Sequence, residues 1–327
     1  MAYRSDGGSG SKILVIGDIM LDEYIIGRAM RLCPEAPVPI IEDAETYYFP
    51  GGAANVAANI RSMGGRVILA GVIGNDEEGE CLRKILSNRD IPTVLGVDPG
   101  RPTTVKKYIG TREQLIVRLD RELVKEIAQG IFHDIIKVVA LLLEDVKLVA
   151  VSDYGKGAVT SKLISVICEI CKSKNISVFV DLKGTDYTKY REVYLIKPNF
   201  VSLEVMYGCD IKNIEDMQKA VGKVFSDTGC KACIVTWGPN GTVLFKNKEE
   251  WIHYPCRGES HSAYISRAGD VFLAALAMAT VKGMPLEVSC MTANETASAF
   301  AGRIGTMMVE EATWKEIIEY IYGLGNG

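Results

Sequence analysis

The sequence predicts an α/β fold in which a doubly wound, mainly parallel sheet is flanked by helices and carries a small β-flap as a lid. Short apolar runs without alternation, such as residues 13–16, indicate strands that are buried on both faces, as in a parallel sheet. These runs alternate with helix-period segments along most of the chain. Four runs end at a polar residue, Asp18, Asp153, Asp181 or Asn199, and ligands of doubly wound sheets gather at such carboxyl ends.

The predicted elements follow in order from residue 12. Strands are expected at 13–16, 66–72, 148–151, 177–180, 193–197 and 232–236, with an antiparallel partner at 242–246 after the turn of residues 238–241. Helices are expected at 53–63, 77–88, 123–143 (one or two helices), 162–174, 214–226, 269–282 and 286–302. We therefore expect residues 12–327 to form a single domain.

Two segments alternate apolar and polar residues instead, at 35–48 and 103–120. We interpret them as half-exposed strands of a lid, near residues 24–48 and 101–120, that lies over the carboxyl ends of the main sheet. Exposed strands of this kind commonly pair with a second copy of themselves, so we expect a homodimer through the lid. Residues 1–11 are rich in Gly and Ser and lack the apolar centre of a signal peptide, so we interpret them as a tag or a disordered tail.

Composition excludes several classes of protein. The 327 residues are 48% hydrophobic and 24% charged, with a net charge of −4, which is typical of a globular protein. The absence of a basic run argues against a nucleic-acid partner, and no apolar segment reaches the roughly 18 residues of a membrane span. Nine cysteines without a secretion signal indicate a reducing cytoplasm.

Two C-x-x-C pairs, Cys168–Cys171 and Cys230–Cys233, have the spacing of zinc ligands. The first pair lies in a helix-period run and the second opens a buried strand, so we interpret all four as thiols of the apolar core. The three histidines also lack the spacing of metal ligands. No metal site is predicted from these residues.

The turn Arg267-Ala268-Gly269-Asp270 is followed by an apolar helix. Such a turn leaves backbone N–H groups free, and together with the helix macrodipole they form an anion site. Asp270, in the first turn of the helix, suits a base that deprotonates a hydroxyl as a phosphoryl group is transferred to it. Taken alone, this turn would favour the interpretation of Asp270 as an ordinary N-terminal helix acid.

A second glycine cluster, Gly51-Gly52-Ala53-Ala54-Asn55, begins the first predicted helix. Paired glycines let the backbone approach a ligand closely, and the Asn55 amide offers a donor and an acceptor to a polyhydroxylated ligand. A lone Gly-Gly is a weak signal, since turns use it often. Together with Gly17-Asp18 after the first strand, it becomes specific.

With these motifs in this order, the chain resembles the ribokinase-like (PfkB) carbohydrate kinases from residue 12 to about residue 305. Within that family it is most similar to the kinase domain of bacterial D-glycero-β-D-manno-heptose-7-phosphate kinases, in the stretches 34–39, 114–120, 152–157 and 181–187. The resemblance implies an enzyme that uses ATP and Mg²⁺ to phosphorylate the anomeric hydroxyl of a heptose 7-phosphate or a similar sugar phosphate.

The resemblance also implies roles for individual residues. Asp270 is the implied base, with Ala268 and Gly269 in the anion hole. The implied sugar ligands are Asp18, Gly51, Gly52, Asn55 and Asn59, and the candidates for the substrate phosphate are Arg118, Lys156 and Lys183. For each lysine the alternative is a solvated surface charge. The implied nucleotide-side residues are Asn199, Glu204, Gly238 and Gly241.

Two positions depart from the family pattern, both on the side of the phosphoryl donor. Arg267 replaces the first glycine of Gly-Ala-Gly-Asp, and its guanidinium could clamp phosphate directly. Ser202 replaces the acid of Asn-x-x-Glu, and Glu204 is the candidate to compensate for it.

These departures leave two alternatives open: a catalytically weak or inactive homologue that binds a sugar phosphate, and an enzyme with an altered phosphate donor. The sequence also has no His-x-Gly-His motif of an adenylyltransferase, so we expect any nucleotidyl transfer to need a separate protein.

Overall fold

The structure is a computed structural model that describes residues 12–184, 186–256, 268–300 and 308–324. Its strands are β1 (Lys12–Leu32), β2 (Pro39–Gly52), β3 (Arg66–Gly74), β4 (Thr93–Asp98), β5 (Thr104–Gly110), β6 (Leu115–Arg121), β7 (Val146–Asp153), β8 (Ser177–Leu182), β9 (Leu195–Lys197), β10 (Ala232–Thr236), β11 (Thr242–Phe245) and β12 (Trp251–Tyr254). Its helices are α1 (Ala53–Ser62), α2 (Glu77–Ser87), α3 (Gln129–Leu142), α4 (Ser161–Ser173), α5 (Phe200–Tyr207), α6 (Ile214–Thr228), α7 (Ala268–Val281), α8 (Leu286–Phe300) and α9 (Glu311–Leu324).

The main sheet has the strand order β12-β11-β10-β9-β8-β7-β1-β3-β4. Neighbouring strands are parallel from β10 to β4, and β11 and β12 extend one edge in antiparallel orientation. The parallel strands consist almost entirely of buried apolar residues, because helices cover both faces of the sheet. The predicted doubly wound, mainly parallel sheet is confirmed.

Two apolar cores lie on opposite faces of this sheet. Ile13 and Val15 of β1 belong to the core that includes α1, α2, α7, α8 and α9, whereas Leu14 and Ile16 belong to the core that includes α3, α4 and α6. Successive side chains of a strand point to opposite faces, so an unbroken apolar run supplies both cores at once. The four cysteines of the two C-x-x-C pairs are buried in the second core, which is the environment predicted for them.

Strand β1 belongs to two sheets. Residues 12–18 pair with β3 and β7 in the main sheet, and the strand then continues into the lid, where it pairs with β2 and β5. The lid is completed by β6, which pairs with β5. A β-carbon at Gly17 would collide with the carbonyl group of Ser152 on β7, so glycine is required where β1 leaves the main sheet. The lid is therefore an extension of the central strand.

Several elements differ from the prediction. Strands β4 and β12 and helices α5 and α9 were not predicted, and β1 is longer than the predicted run of four residues. Helix α5 has no apolar stripe, because Phe200, Val201, Leu203, Val205 and Met206 surround its axis, so it gives no helical period. Helix α3 begins at Gln129, after a non-helical stretch whose Ile127 N–H donates to the Gly157 carbonyl group.

The carboxylate of Asp76 connects α2 to the lid strands β5 and β6. Its carboxylate accepts hydrogen bonds from Gly79 N in the first turn of α2, and from Thr103 N and Oγ1 just before β5. Arg121, the last residue of β6, donates to the same carboxylate at 3.1 Å. Burial raises the pKa of Asp76, but the Thr103 hydroxyl, the two backbone N–H groups and Arg121 outweigh burial and hold that pKa below its ordinary value.

We predict that Asp76→Ala lowers the free energy of unfolding at pH 7 by about 1–2 kcal/mol, because the helix loses its cap and the lid loses its anchor. A depressed pKa in the folded state stabilises the protein above the ordinary carboxyl pKa, and this contribution is lost as pH falls through the folded-state value. The difference between wild type and variant should therefore shrink below about pH 4. Urea unfolding at pH 7 and at low pH measures it.

The control is Asp134→Ala, which removes an exposed carboxylate from α3. It should change stability by less than about 0.5 kcal/mol. An equal loss of stability in Asp76→Ala at both pH values would contradict the assigned role of the carboxylate.

Candidate active site

Asp270 lies in the first turn of α7, at the carboxyl edge of the main sheet, and is 1% exposed. One carboxylate oxygen accepts a hydrogen bond from Asn55 Nδ2 at 2.9 Å, and the other accepts one from the Tyr154 hydroxyl at 2.7 Å. Ala268 and Gly269 are the first described residues of the same helix, whose dipole favours negative charge near this end. A fixed carboxylate thus lies beside an anion-binding helix end.

A chain of amides fixes the orientation of Asn55. Val309 N donates to Asn59 Oδ1 at 3.2 Å, and Asn59 Nδ2 donates to Asn55 Oδ1 at 3.1 Å. Since the Asn55 oxygen already accepts, its NH₂ group must point at Asp270. Asn59 was predicted to hold the sugar. In the structure its amide lies between Val309 N and Asn55 Oδ1, where it orients Asn55.

Asp18 anchors the loop that supplies Tyr154. Its carboxylate accepts three backbone hydrogen bonds, from Tyr154 N at 2.8 Å, Lys156 N at 3.0 Å and Ala158 N at 3.1 Å. Burial and the nearby charge of Asp153 raise the pKa of Asp18, and the three N–H groups oppose that shift. Asp18 was predicted as a sugar ligand, and in the structure it acts on the site through Tyr154.

The glycine pair brings the backbone close to a second carboxylate, that of Asp22. Gly52 has a φ of 57°, which favours glycine, and it immediately precedes α1. A β-carbon at Gly51 would lie 2.5 Å from Asp22 Oδ2, so only glycine leaves room for that side chain. Asp22 is 1% exposed and lies four residues after Asp18 on β1. The sequence analysis predicted no role for Asp22.

Two lysines approach the start of α7. Lys183 Nζ lies 3.3 Å from Asp181 Oδ2, and Lys197 Nζ lies 2.8 Å from Asp181 Oδ1. A β-carbon at Gly269 would lie 2.7 Å from Lys183 Nζ and 3.9 Å from Lys197 Nζ. Burial lowers the pKa of Lys183, but the carboxylates of Asp181 and Asp270 outweigh it and raise that pKa above its ordinary value. The two ammonium groups therefore face two carboxylates, those of Asp181 and Asp270, at the start of this helix.

The other two predicted phosphate ligands, Arg118 and Lys156, lie away from the start of α7. Arg118, on lid strand β6, makes two hydrogen bonds to Asp120, at 2.9 and 3.1 Å. Lys156, in the loop anchored by Asp18, pairs with Glu122 at 2.7 Å. Each cation already has a carboxylate partner.

The predicted nucleotide-side residues form local contacts in α5 and around the β10–β11 turn. Asn199 Oδ1 caps α5 by accepting from Ser202 N at 2.7 Å, and Glu204 Oε1 accepts from Ile211 N at 3.0 Å. Gly238 and Gly241 both have positive φ in the turn between β10 and β11. Arg267, predicted at the anion hole, lies outside the described residues.

The structure adds Asp22, Lys197 and Tyr154 to the residues that were predicted. A two-residue period beyond Asp18 would have identified Asp22, because alternate residues of a strand share a face. Lys197 ends a buried apolar strand, where a lysine is unusual. The sequence carries no comparable signal for the Tyr154 hydroxyl, since a tyrosine in a loop is ordinary.

The family described as pfkB family carbohydrate kinase matches residues 11–312. Two proteins named bifunctional protein HldE are similar along most of the chain. That of Trichlorobacter lovleyi is 35% identical over 302 residues, covering 92% of this chain and 61% of the relative. That of Desulfatibacillum aliphaticivorans is 33% identical over 310 residues, covering 94% and 63%. The chain therefore spans a little under two thirds of the length of these relatives.

Solved structures show the same fold. Phosphofructokinase-2 from Escherichia coli, in complex with substrates and products, has a TM-score of 0.74 at 19% identity and covers 96% of this chain and 99% of that chain. Ribokinase from Giardia lamblia has a TM-score of 0.73 at 15% identity, covering 94% and 99%. At these identities the likeness concerns the fold, and it confirms the predicted ribokinase-like architecture.

Among the described helices, none is long and apolar enough to cross a bilayer.

We predict that Asn59→Ala lowers the free energy of unfolding by about 2–4 kcal/mol, because it leaves Val309 N–H and Asn55 Oδ1 buried without partners. Urea unfolding measures the change. Asn88→Ala, at an exposed position after α2, is the control and should have an effect below about 0.5 kcal/mol. Equal stabilities of the two variants would show that the amide chain is not needed.

Proposed function

The chain belongs to the pfkB family of carbohydrate kinases, and on that premise we propose that it transfers the γ-phosphate of ATP to the anomeric hydroxyl of a heptose 7-phosphate or a similar sugar phosphate. Family membership makes it a phosphotransferase that acts on a sugar hydroxyl. The observation that carries the proposal is the buried Asp270 carboxylate, fixed by Asn55 and Tyr154 beside the start of α7.

Asp270 serves as the base in this proposal. The anomeric hydroxyl donates a hydrogen bond to its carboxylate, and the hydroxyl oxygen attacks the γ-phosphorus. A new O–P bond forms, the bond from the γ-phosphorus to the bridging oxygen breaks to release ADP, and the hydroxyl proton passes to Asp270. Asn55 holds the carboxylate in one position, so the base reacts without reorienting.

The start of α7 receives the transferred group. The positive end of the helix dipole and the ammonium groups of Lys183 and Lys197 favour the negative charge that the phosphoryl oxygens carry. This role differs from the one predicted for Lys183, which was binding of the substrate's own phosphate. The closeness of Lys183 Nζ to Gly269 supports the donor-side role.

Magnesium would be held mainly by the nucleotide in this proposal. The described residues bring no three acidic, histidine or cysteine side chains together as a metal site, and Mg²⁺ commonly binds through substrate phosphates, waters and one or two carboxylates. When bound, the ion neutralises charge on the phosphates.

We place the reaction in the cytoplasm, since all nine cysteines are free thiols.

The choice of a heptose 7-phosphate is supported by the stretches 34–39, 114–120, 152–157 and 181–187, which resemble heptose-7-phosphate kinases. An altered donor is the second candidate, and it is favoured by Ser202. This residue is buried at the capped start of α5, where a serine offers no carboxylate to organise Mg²⁺. Comparing ATP, other nucleoside triphosphates and inorganic pyrophosphate as donors distinguishes the two.

We predict that Asp270→Asn lowers kcat for phosphorylation of heptose 7-phosphate at least about 100-fold, because the amide cannot accept the hydroxyl proton. The amide has nearly the same shape, so binding of the sugar phosphate by calorimetry should persist. Coupled detection of ADP release measures the rate.

Asp216→Asn is the matched control, since Asp216 is also an acid in the first turn of a helix, α6. It should keep kcat within about twofold, as a substitution at a partly exposed site away from Asp270. Full activity in Asp270→Asn would exclude Asp270 as the base, and an inactive wild type with every donor would exclude the proposed reaction.

We also propose that the lid pairs with the lid of a second copy to form a homodimer. Large apolar side chains are exposed on the lid strands and at the β1–β2 hairpin: Met30 (78%), Leu32 (63%), Leu119 (53%), Tyr48 (45%) and Val117 (41%). A patch of this kind commonly marks an association surface, and most soluble oligomers are symmetric copies of one chain.

We predict that Leu119→Glu converts the dimer to a monomer in sedimentation velocity experiments, because a buried, unpaired carboxylate in the interface is unfavourable. Leu141→Glu is the control, at a position on α3 that is 73% exposed and outside the lid. A wild-type monomer at micromolar concentration, or a dimer that survives Leu119→Glu, would contradict association through this face.

A further inference from the structure

Lys106 projects from lid strand β5 toward the base. In the register of the lid it lies opposite Asp22 of β1 on one side and opposite Asp120 of β6 on the other. Its Nζ lies 4.7 Å from the centroid of the Tyr154 ring, and the hydroxyl of that ring donates to Asp270. A single aromatic side chain thus separates the Lys106 ammonium group from the catalytic carboxylate.

Lys106 differs from the three cations predicted to bind phosphate. Arg118 pairs with Asp120, Lys156 with Glu122, and Lys183 with Asp181. Within the part of the chain that the structure describes, no carboxylate lies within the 4.0 Å of an ion pair from Lys106 Nζ. The contact of this ammonium group is the face of Tyr154, which attracts a cation more weakly than a carboxylate does.

The surroundings of Lys106 favour an anionic ligand. The side chain is half-buried, and burial lowers its pKa, an effect that the charge of Asp22 partly offsets. The carboxylates of Asp22, Asp120 and Asp270 attract this partly dehydrated ammonium group from beyond ion-pair distance, so it can still gain from direct contact with a bound dianion.

Arg118 is the second cation on this face of the lid. Residues 118 and 120 of β6 lie opposite Tyr108 and Lys106 of β5, so these four side chains share one face. Lys106 and Arg118 are therefore diagonal neighbours across the two strands, at a spacing of roughly 7–8 Å that long side chains can bridge. The pair between Arg118 and Asp120 is partly exposed and contributes little, so the guanidinium can exchange its partner for a phosphate.

We infer that Lys106, together with Arg118, binds the phosphate group of the acceptor sugar and makes the site select phosphorylated sugars. The inference rests on the proposed function, because it supposes that the acceptor carries a phosphate. It also gives each charged group a separate task. Asp270 faces the reacting hydroxyl, Lys183 lies beside the transferred phosphoryl group, and the lid supplies the cations for the phosphate that does not react. Lys156 lies in the loop anchored by Asp18 and outside the lid face shared by Lys106 and Arg118, so it is not part of this subsite.

The test compares Lys106→Met with Lys107→Met. Lys107 is the next residue on the same strand and pairs with Glu23 at 3.0 Å, and alternation places it on the opposite face. For Lys106→Met we expect KM for heptose 7-phosphate to rise about 10- to 100-fold, with KM for ATP changed less than about threefold. KM for the unphosphorylated heptose should stay constant, Lys106→Arg should recover part of the loss, and Lys107→Met should resemble wild type.

The inference is overturned if Lys106→Met keeps the wild-type preference for the phosphorylated sugar. It is also overturned if KM rises equally for the phosphorylated and the unphosphorylated sugar. Calorimetry with heptose 7-phosphate in the absence of nucleotide separates this failure from that of the proposed function. If the wild type binds the sugar phosphate, Lys106→Met weakens that binding and no phosphoryl transfer is detected, the kinase reaction is refuted and the phosphate subsite is supported. A wild type that does not bind it would overturn the subsite.

Discussion

The structure depends on the burial of four carboxylates along one edge of a parallel sheet. Asp18, Asp153, Asp181 and Asp270 are each exposed by 3% or less. A buried carboxylate is strongly unfavourable unless hydrogen bonds or opposite charges compensate for its lost hydration. Each therefore fixes a particular set of partners: backbone N–H groups for Asp18, Lys189 and Tyr190 for Asp153, two lysines for Asp181, and an amide and a hydroxyl for Asp270.

Those partners build the candidate active site. The loop that satisfies Asp18 positions the Tyr154 hydroxyl on Asp270, and the lysines that neutralise Asp181 lie against the start of α7. The donors to Asp270 are neutral, whereas a direct ion pair would compete for its oxygens with the substrate hydroxyl of the proposed reaction. The charged donors of Asp181 bring two ammonium groups beside the start of α7. Neutral hydrogen-bond donors thus surround the proposed base, Asp270, whereas lysines surround Asp181 beside the proposed phosphoryl site.

The sequence was sufficient to predict the layers of the fold and to select the residues of the candidate site, because both follow from local patterns. Unbroken apolar runs mark the parallel strands, and Asp270 follows a glycine at the start of an apolar helix. The pairing of charges could not be predicted in this way. Whether Lys156, Lys183 or Lys106 has a carboxylate partner depends on Glu122, Asp181 and the lid register, which only the three-dimensional structure brings together. Asn59 shows the same limit, since the sequence does not reveal that its amide bridges Val309 N and Asn55.

The continuity of β1 determines how the lid can act. Asp18 lies in the main sheet and Asp22 in the lid, four residues apart on one strand, and Lys106 pairs in register with Asp22. The lid therefore cannot move away from Asp270 as a separate body without breaking the ladder between β1 and β5 or releasing Thr103 from Asp76. Motions that preserve both contacts are bends of the strands beyond residue 26, where the register with β5 ends. A cation at position 106 is consequently held at a nearly constant distance from the base. The proposed subsite therefore requires a sugar phosphate long enough to reach from Asp270 to Lys106, and a shorter or unphosphorylated sugar would not reach both.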